Sequence, residues 1–300
     1  MPAWNESALI ETTLQRMPAL VDRIVVVDDA SSDDTADRAR AVEDPRVTVV
    51  TQAQNGGVGS AVLTGHRILF DDDCDVSVVM AGDAQMDPDY LPDLLRPIAL
   101  EGIGFAKANR FFTASSYAGM PRSRVFGNVV LSFLTKASSG YWHLFDPQNG
   151  YTALSRSAWR LIDAENVARG YDFENSLLIS LNIADVRARD VPIPAVYGSE
   201  VSGMRLKNVV PTLLGTLWRG FWHRIVRKYV VPSFSPVALL LFTGLLLFGF
   251  GFLVGLGATI YSLGPREAST GTWLLSVAPA LTGIFLLVQA LVLDIQESPR

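Results

Sequence analysis

The chain alternates short, continuous apolar runs with longer segments in which apolar residues recur every three or four positions. Such runs are typical of parallel strands buried on both faces, and the longer period is that of a helix with one buried face. The runs predict strands at 21–28, 47–52 and 76–81, and the other segments predict helices at 7–16, 32–42, 57–70 and 88–99. Strands alternating with helices predict an α/β domain with a doubly wound, mostly parallel sheet.

Two parts of this domain depart from the regular alternation. Residues 2–6 have the composition of a strand end and its turn, but the apolar residues expected before Pro2 are absent, so we expect the first strand to be missing. Between 104 and 194 the pattern is weaker and predicts strands at 104–110, 150–154 and 186–192 with helices between them. We assign residues 1–203 to this domain and expect its second half to bind a second substrate.

A basic and aromatic segment follows at 204–235. It mixes apolar residues with Arg205, Lys207, Arg219, Arg224, Arg227 and Lys228. This mixture is typical of amphipathic helices that lie in the headgroup layer of a membrane. The alternative is a helix packed on the protein core with one solvated face.

Two long apolar stretches complete the chain, at 236–260 and 273–293. As a helix, the second stretch is about 32 Å long, which matches a hydrocarbon core of about 30 Å. Basic residues precede the first stretch, whereas the connecting loop contains only Arg266. By the positive-inside rule, the sequence predicts a multi-pass membrane protein whose N-terminal domain is cytoplasmic, and a prokaryotic plasma membrane is the expected location.

Composition narrows the classes of function. The net charge is −5, and a chain with no large basic domain is a poor candidate for binding nucleic acid. Cys74 is the only cysteine, which excludes an intrachain disulfide and a cysteine metal cluster. The three histidines, His66, His143 and His223, lack metal-ligand spacing, so ordinary packing is expected for each.

Four short motifs occur in order along the domain. They are PAWNE at 2–6, VDDASSDDT at 27–35, NGGVG at 55–59 and GDAQMDP at 82–88. In this order and spacing they resemble glycosyltransferase family two, whose members have the GT-A fold. The two apolar stretches and the segment DPQNGY at 146–151 are similar to those of the dolichyl-phosphate (polyprenyl-phosphate) mannosyl and glucosyl synthases within that family.

The resemblance implies binding of a nucleotide-diphosphate sugar at the carboxyl ends of the strands, where ligands of such sheets lie. The residues implied are Pro2, Ala3, Asn5, Glu6, Asp28, Asp29, Gly56, Gly59 and Asp83. Asp83 and Gln85 are the implied ligands of Mg²⁺ or Mn²⁺, which neutralises the leaving diphosphate. The first acid of the family's Asp-x-Asp motif is replaced here by Ala81, which leaves the ligand set in question. Capping is the structural alternative for the acids and serines of these loops.

The implied acceptor is a polyprenyl phosphate. A phosphate is ionised near neutral pH, so the acceptor needs cations to bind it rather than a protein base to take its proton. Asp83 and Arg110 are the expected catalytic residues. The residues expected to bind the acceptor are Arg110, Asp146, Gln148, Arg205 and Lys207.

The resemblance predicts inverting transfer of a hexose at the cytoplasmic membrane face. One alternative keeps the fold and uses a lipid or glycan hydroxyl as acceptor, with Asp172 or Glu174 as the base; Asp146 is a further candidate for that role. Another is a catalytically weak membrane subunit that binds nucleotide or lipid without turnover. Assembly into a homo-oligomer stays open.

Overall fold

The computed structural model describes residues 1–112, 122–146, 149–194, 206–265 and 267–300. Within this part the chain forms two compact units. The first contains Met1–Phe221 with Pro299–Arg300, and the second contains Trp222–Ser298.

The first unit contains two small sheets. The strands are β1 (Pro2–Ala3), β2 (Ile24–Asp28), β3 (Val47–Thr51), β4 (Val76–Val79), β5 (Phe105–Asn109), β6 (Thr152–Ser155) and β7 (Ala188–Pro192). One sheet has the order β1-β2-β3 with all strands parallel, and the other has the order β4-β6-β5-β7. In the second sheet β6 is antiparallel to both neighbours, while β5 and β7 are parallel.

Helices lie between these strands and after the last one. They are α1 (Ile10–Gln15), α2 (Thr35–Ala41), α3 (Val58–Asp71), α4 (Leu91–Glu101), α5 (Arg122–Ser139), α6 (Arg156–Trp159), α7 (Phe173–Ile183) and α8 (Leu206–Arg224). The predicted alternation of strands and helices in the first half is therefore confirmed. Most predicted segments are longer than the observed ones, because polar residues at their ends lie in the connecting loops. The second sheet is mixed, because β6 is antiparallel to its neighbours. The sequence does not predict this, since an apolar run does not reveal the direction of a strand.

The hydrophobic core lies on both faces of the strands. Every residue of β2 is buried, as its continuous apolar sequence predicts. Ile10 and Leu14 of α1 pack with Leu94 of α4 in one cluster, whereas Phe105 packs with Leu178 of α7 in another. The strand ends are thus held between two apolar layers, and polar residues are left to the loops that follow them.

The second unit is dominated by two helices long and apolar enough to cross a membrane, α9 (Pro236–Ser262) and α10 (Thr270–Gln296). They contact each other through small residues. An added Cβ at Gly244 would lie 3.0 Å from the Gly283 carbonyl oxygen, and Ser276 Oγ donates to the Gly251 carbonyl at 2.8 Å. Small residues let apolar helices approach closely, and packing then replaces the hydrophobic effect that lipid cannot supply.

A buried ionic cluster also belongs to this unit. Arg224 donates through Nη1 and Nη2 to the Asp294 carboxylate at 2.5 and 3.0 Å, and the Tyr229 hydroxyl donates to it at 2.7 Å. Tyr229 lies in the π-helical turn Ile225–Val230 that follows α8. The cluster joins the start of the unit to the end of α10 and neutralises a carboxylate that would otherwise be costly to bury.

Gly251→Ala should destabilise the helix pair, whereas Gly249→Ala should not. An added Cβ at Gly251 lies 2.5 Å from the Ser276 carbonyl oxygen and 2.6 Å from the Ala280 nitrogen, but at Gly249 it meets no atom within 4 Å. Overpacking against backbone costs about 1–3 kcal/mol. Unfolding of the full-length variants in detergent micelles measures this difference, and equal stabilities would contradict the close contact.

His66 should make stability fall in acid. Its Nδ1 lies 2.8 Å from Ser77 Oγ, and burial lowers its pKa from 6.5 to about 3. Below pH 6.5 the unfolded chain therefore binds a proton at His66 that the folded chain does not bind. The contribution of this group to the free energy of unfolding is present above that pH and is lost as the pH falls below it. The loss is about 2 kcal/mol between pH 7 and pH 5. Thermal unfolding at both pH values should show a smaller pH dependence in His66→Gln; an unchanged dependence would refute the assignment.

Candidate active site

The loops after β1 and β2 are joined by hydrogen bonds. The Asn5 amide donates to Ser31 Oγ at 2.9 Å, and Asn5 Oδ1 accepts from the Ser32 amide at 2.8 Å. The Glu6 amide donates to Thr35 Oγ1 at 2.8 Å. Asn5 has φ +57, a conformation that asparagine tolerates better than most residues. The two serines therefore link strand ends; neither caps α2.

Asp33 belongs to the same network. Its carboxylate accepts from the Ser7 amide at 3.2 Å and from the Thr35 amide at 3.1 Å. Burial favours a raised pKa at Asp33, but the hydrogen bonds from Thr35 and Ser7 outweigh it and hold the pKa at about 2. The loop therefore keeps a fixed negative charge throughout the neutral range.

Asp29 fixes the glycine-rich loop. Its Oδ1 accepts from the Gly56 amide at 2.8 Å and its Oδ2 from the Gly57 amide at 2.9 Å. Asp28 is also buried and accepts from the Ser31 amide at 3.3 Å. Both carboxylates thus make backbone contacts that shape the strand-end loops, and the predicted contacts of these residues with a nucleotide stay a prediction.

The glycines of this loop are required by close packing. Gly57 has φ +87, and an added Cβ would lie 2.7 Å from the Arg169 carbonyl oxygen. An added Cβ at Gly59 would lie 2.7 Å from Phe173 Cβ. The loop consequently lies against the turn that begins α7, which places the β2 side of the site next to Phe173 and Glu174.

Asp83 lies on the loop that follows β4. Its Oδ1 accepts from the Gln85 amide at 3.0 Å, and the preceding Gly82 amide donates to the Pro2 carbonyl at 3.2 Å. Ala84 has φ +58, which turns the chain sharply between Asp83 and Gln85. The loop is therefore held beside the end of β1, so the structure brings Asp83 together with Pro2 and Ala3.

The described residues contain no group of three or more His, Cys, Asp or Glu side chains placed to hold a metal ion. Asp83 and Gln85 supply oxygen atoms of the kind Mg²⁺ and Mn²⁺ prefer, and Mg²⁺ is commonly bound by one or two carboxylates with water and substrate phosphates. The residues present therefore fit a cation whose other ligands come from a bound diphosphate.

Arg110 and Asp146 form a bidentate ion pair where β5 ends. Arg110 Nε lies 2.7 Å from Asp146 Oδ2, and Nη2 lies 2.8 Å from Oδ1. The Asp146 side chain is 2% exposed and that of Arg110 is 36% exposed. Burial favours a raised pKa at Asp146, but the Arg110 hydrogen bonds and the Lys107 charge outweigh it and lower the pKa. Asp146 is thereby an ionised anchor for Arg110, which argues against the further suggestion that it acts as a base.

Lys107, which is buried, and Asp190, which is partly buried, are charged residues that the motifs do not indicate. Lys107 is 1% exposed, and its ammonium donates to the Asp146 carbonyl. Asp190 Oδ2 accepts from the Phe145 amide at 2.5 Å and from Asn109 Nδ2 at 3.1 Å, and burial raises its pKa to about 6. The only sequence signal was a lysine in an otherwise apolar run, FAKA, and an acid inside the last strand.

The two candidate bases for a hydroxyl acceptor lie at the start of α7. Asp172 Oδ2 accepts from Thr216 Oγ1 at 2.6 Å. Burial raises the pKa of Glu174, and Glu174 lines a cavity of about 200 Å³ together with Lys107. Of the remaining predicted residues, Gln148 and Arg205 lie outside the described residues, as does the side chain of Lys207.

The sequence profile described as Glycosyl transferase family 2 matches residues 1–162. This range is more than half of the chain and contains all the strand-end loops described above. The chain belongs to glycosyl transferase family 2. It is therefore a glycosyltransferase, as the four motifs predicted.

Curated relatives of this glycosyltransferase cover most of its length. It is 28% identical over 225 residues to the UDP-N-acetylglucosamine–dolichyl-phosphate N-acetylglucosaminyltransferase of Methanococcus voltae, which is 70% of this chain and 89% of the relative. It is 29% identical over 238 residues to the undecaprenyl-phosphate mannosyltransferase of Micrococcus luteus, which is 75% of this chain and 97% of the relative.

Solved structures show the same fold. The glucosyl-3-phosphoglycerate synthase of Mycobacterium tuberculosis, in complex with Mn²⁺, UDP-glucose and phosphoglyceric acid, superposes with a TM-score of 0.54 at 24% identity. The match covers 74% of this glycosyltransferase and 77% of that chain. The predicted GT-A fold is confirmed.

Asp29→Asn should lower the stability of the glycosyltransferase domain against unfolding. An amide can accept from one of the Gly56 and Gly57 amides but presents a donor to the other. One hydrogen bond to the buried Asp29 carboxylate is therefore lost, and a hydrogen bond to a charged group contributes about 1.5–3 kcal/mol. Asp37→Asn is the matched control, because the Asp37 side chain is 83% exposed. Chemical unfolding of the full chain in detergent measures the stability of both variants. A loss of stability in Asp29→Asn no larger than that of the control would contradict the role of Asp29 in fixing the glycine-rich loop.

Proposed function

We propose that this glycosyltransferase moves a sugar from a nucleotide-diphosphate sugar to a polyprenyl phosphate. The observation that carries the proposal is the Arg110–Asp146 pair, which fixes a guanidinium at the carboxyl end of β5. Arginine in a fixed orientation is suited to recognising phosphate oxygens. The relatives named for dolichyl-phosphate and undecaprenyl-phosphate transfer support the same acceptor class.

The donor is proposed to lie over the loops after β1, β2 and β4. These loops are hydrogen-bonded to one another and carry Asn5, Glu6, Asp28 and Asp83. Asp83 and Gln85 would hold a divalent cation on the diphosphate, where it neutralises charge on the leaving group. The Mn²⁺ in the related solved structure supports this role for the fold.

The chemistry is a direct displacement. An oxygen of the lipid phosphate forms a bond to the anomeric carbon while the bond from that carbon to the nucleoside diphosphate breaks, and the configuration inverts. The acceptor oxygen is already ionised, so no side chain has to take a proton. The Thr216 contact of Asp172 agrees with a reaction that does not need Asp172 as a base.

A membrane setting brings the acceptor to the enzyme. The second unit contributes the two apolar helices α9 and α10. In the first unit, the side chains of Leu214 and Trp218 on α8 are exposed, as are those of Val129 and Phe133 on α5. Exposed apolar residues on helices with basic neighbours are typical of a surface that lies on lipid. We propose that 204–235 lies at the membrane surface and that the catalytic unit is cytoplasmic, as the basic residues before α9 favour.

Asp83→Asn should abolish most transfer, by at least about 100-fold, because charge on the leaving diphosphate is no longer neutralised. The full chain in nanodiscs receives undecaprenyl phosphate, Mg²⁺ or Mn²⁺ and labelled nucleotide sugars, and the lipid fraction is counted. Asp89→Asn is the control: Asp89 is exposed and lies six residues along the same region of the chain.

Product chemistry separates the alternatives. Label released from the lipid by mild acid supports a sugar phosphate. An acid-stable glycoside would replace the proposal with the hydroxyl-acceptor reaction, and nucleotide binding without any transfer would identify a binding subunit.

A further inference from the structure

The cavity next to Glu174 has an unusual lining. It encloses about 200 Å³, and most of its wall is apolar, including Val62, Val79, Phe173 and Leu177. Lys107 and Glu174 line it as well, so one cation and one acid face a mostly apolar cavity. A purely structural void in a core does not require charged groups, which are costly to bury.

Lys107 has hydrogen-bonding capacity to spare. An ammonium has three N–H donors. Among the described residues, Lys107 Nζ donates to one acceptor, the Asp146 carbonyl. Glu174 Oε1 would lie 3.6 Å from a Cβ added at Gly150, so the carboxyl faces the start of β6. The wall therefore offers a donor and an acceptor to a polar group that enters.

The cavity lies beneath the proposed donor site. Pro2, Ala81 and Met86 form part of its lining, and they belong to β1 and to the loop that carries Asp83. Ala81 contributes only a methyl group there, so no charge from this position enters the wall. A sugar whose diphosphate is held at Asp83 therefore has this space next to its ring.

The lining discriminates between substituents of that sugar. A hydroxyl group can pair with Lys107 or Glu174 but leaves the apolar wall unfilled. An acetamido group matches all three features: its carbonyl accepts from the ammonium, its N–H donates to the carboxylate, and its methyl group packs on the apolar wall. Unpaired buried polar groups and unfilled apolar space both cost binding energy.

We propose that the cavity formed around Lys107 and Glu174 receives an N-acyl substituent of the donor sugar, so that the enzyme selects N-acetylhexosamines over unsubstituted hexoses. This inference rests on the proposed function, since it specifies the donor of that reaction. It makes Lys107 and Glu174 specificity-determining residues and changes the sequence-based expectation of a simple hexose.

The test is a comparison of matched donors. The full chain in nanodiscs with undecaprenyl phosphate receives UDP-N-acetylglucosamine or UDP-glucose, UDP-N-acetylgalactosamine or UDP-galactose, and GDP-mannose. The expected result is a kcat/KM for the N-acetyl donor of one pair that exceeds that for its hydroxyl counterpart at least about tenfold. Preference for UDP-glucose, UDP-galactose or GDP-mannose overturns the inference and leaves the transfer reaction standing. Absence of transfer from every donor overturns the proposed function, and the inference falls with it.

Variants show whether the cavity causes the preference. Lys107→Met preserves the side-chain length and removes the donor. Glu174→Leu keeps most of the side-chain bulk and removes the acceptor. Each should reduce the N-acetyl preference about tenfold. If Lys107 only supports the Asp146 carbonyl, both donors of a pair lose rate equally and the ratio stays, which refutes its role in selection. Lys136→Met is the matched control, because Lys136 lies on α5 over the Phe145 ring, away from the cavity lining. Thermal unfolding checks that each variant is folded. If Lys107→Met does not fold, the donor preference of Glu174→Leu decides whether the cavity causes the selection.

Discussion

The candidate active site depends on one buried carboxylate, that of Asp146. The Asp146 backbone has φ +43, which turns the chain sharply, and the Asp146 carboxylate accepts hydrogen bonds from the backbone amide and the guanidinium of Arg110. Its carbonyl takes the ammonium of Lys107. Removing one partner of such a pair leaves an unpaired charge in the interior at a cost of about 3–5 kcal/mol. The cations beneath and beside the site are therefore fixed before any substrate arrives.

The acids at the strand ends divide into two groups. Asp28, Asp29 and Asp33 accept hydrogen bonds from backbone amides and so fix the shape of the loops. Asp83 is held on its own loop by the Gln85 amide, beside the end of β1. Because the loops are interlinked, a ligand bound at any of them meets a preorganised surface, which lowers the entropic cost of binding.

The sequence predicts the strands and the two long apolar helices well, because their apolar periods are local properties of the chain. It also places Asp83, Asp29 and Arg110 at strand ends. It does not predict the pairing of Arg110 with Asp146 or the burial of Lys107, since those contacts join residues 36 and 39 positions apart. The direction of β6 is equally invisible to a periodic pattern. Gly59 shows this limit: the family resemblance assigns it to nucleotide-sugar binding, whereas in the structure its lack of a side chain is required by its contact with Phe173.

The central claim is that the fixed Arg110 guanidinium serves a phosphate acceptor. The most direct measurement is ³¹P NMR of the lipid recovered after the full chain has acted on undecaprenyl phosphate and its preferred nucleotide sugar. We predict that the lipid phosphorus signal moves from the phosphomonoester to the phosphodiester region, and that it does so far more slowly with Arg110→Lys, which cannot form the bidentate pair. A lipid signal that stays a phosphomonoester while nucleoside diphosphate accumulates would contradict the claim.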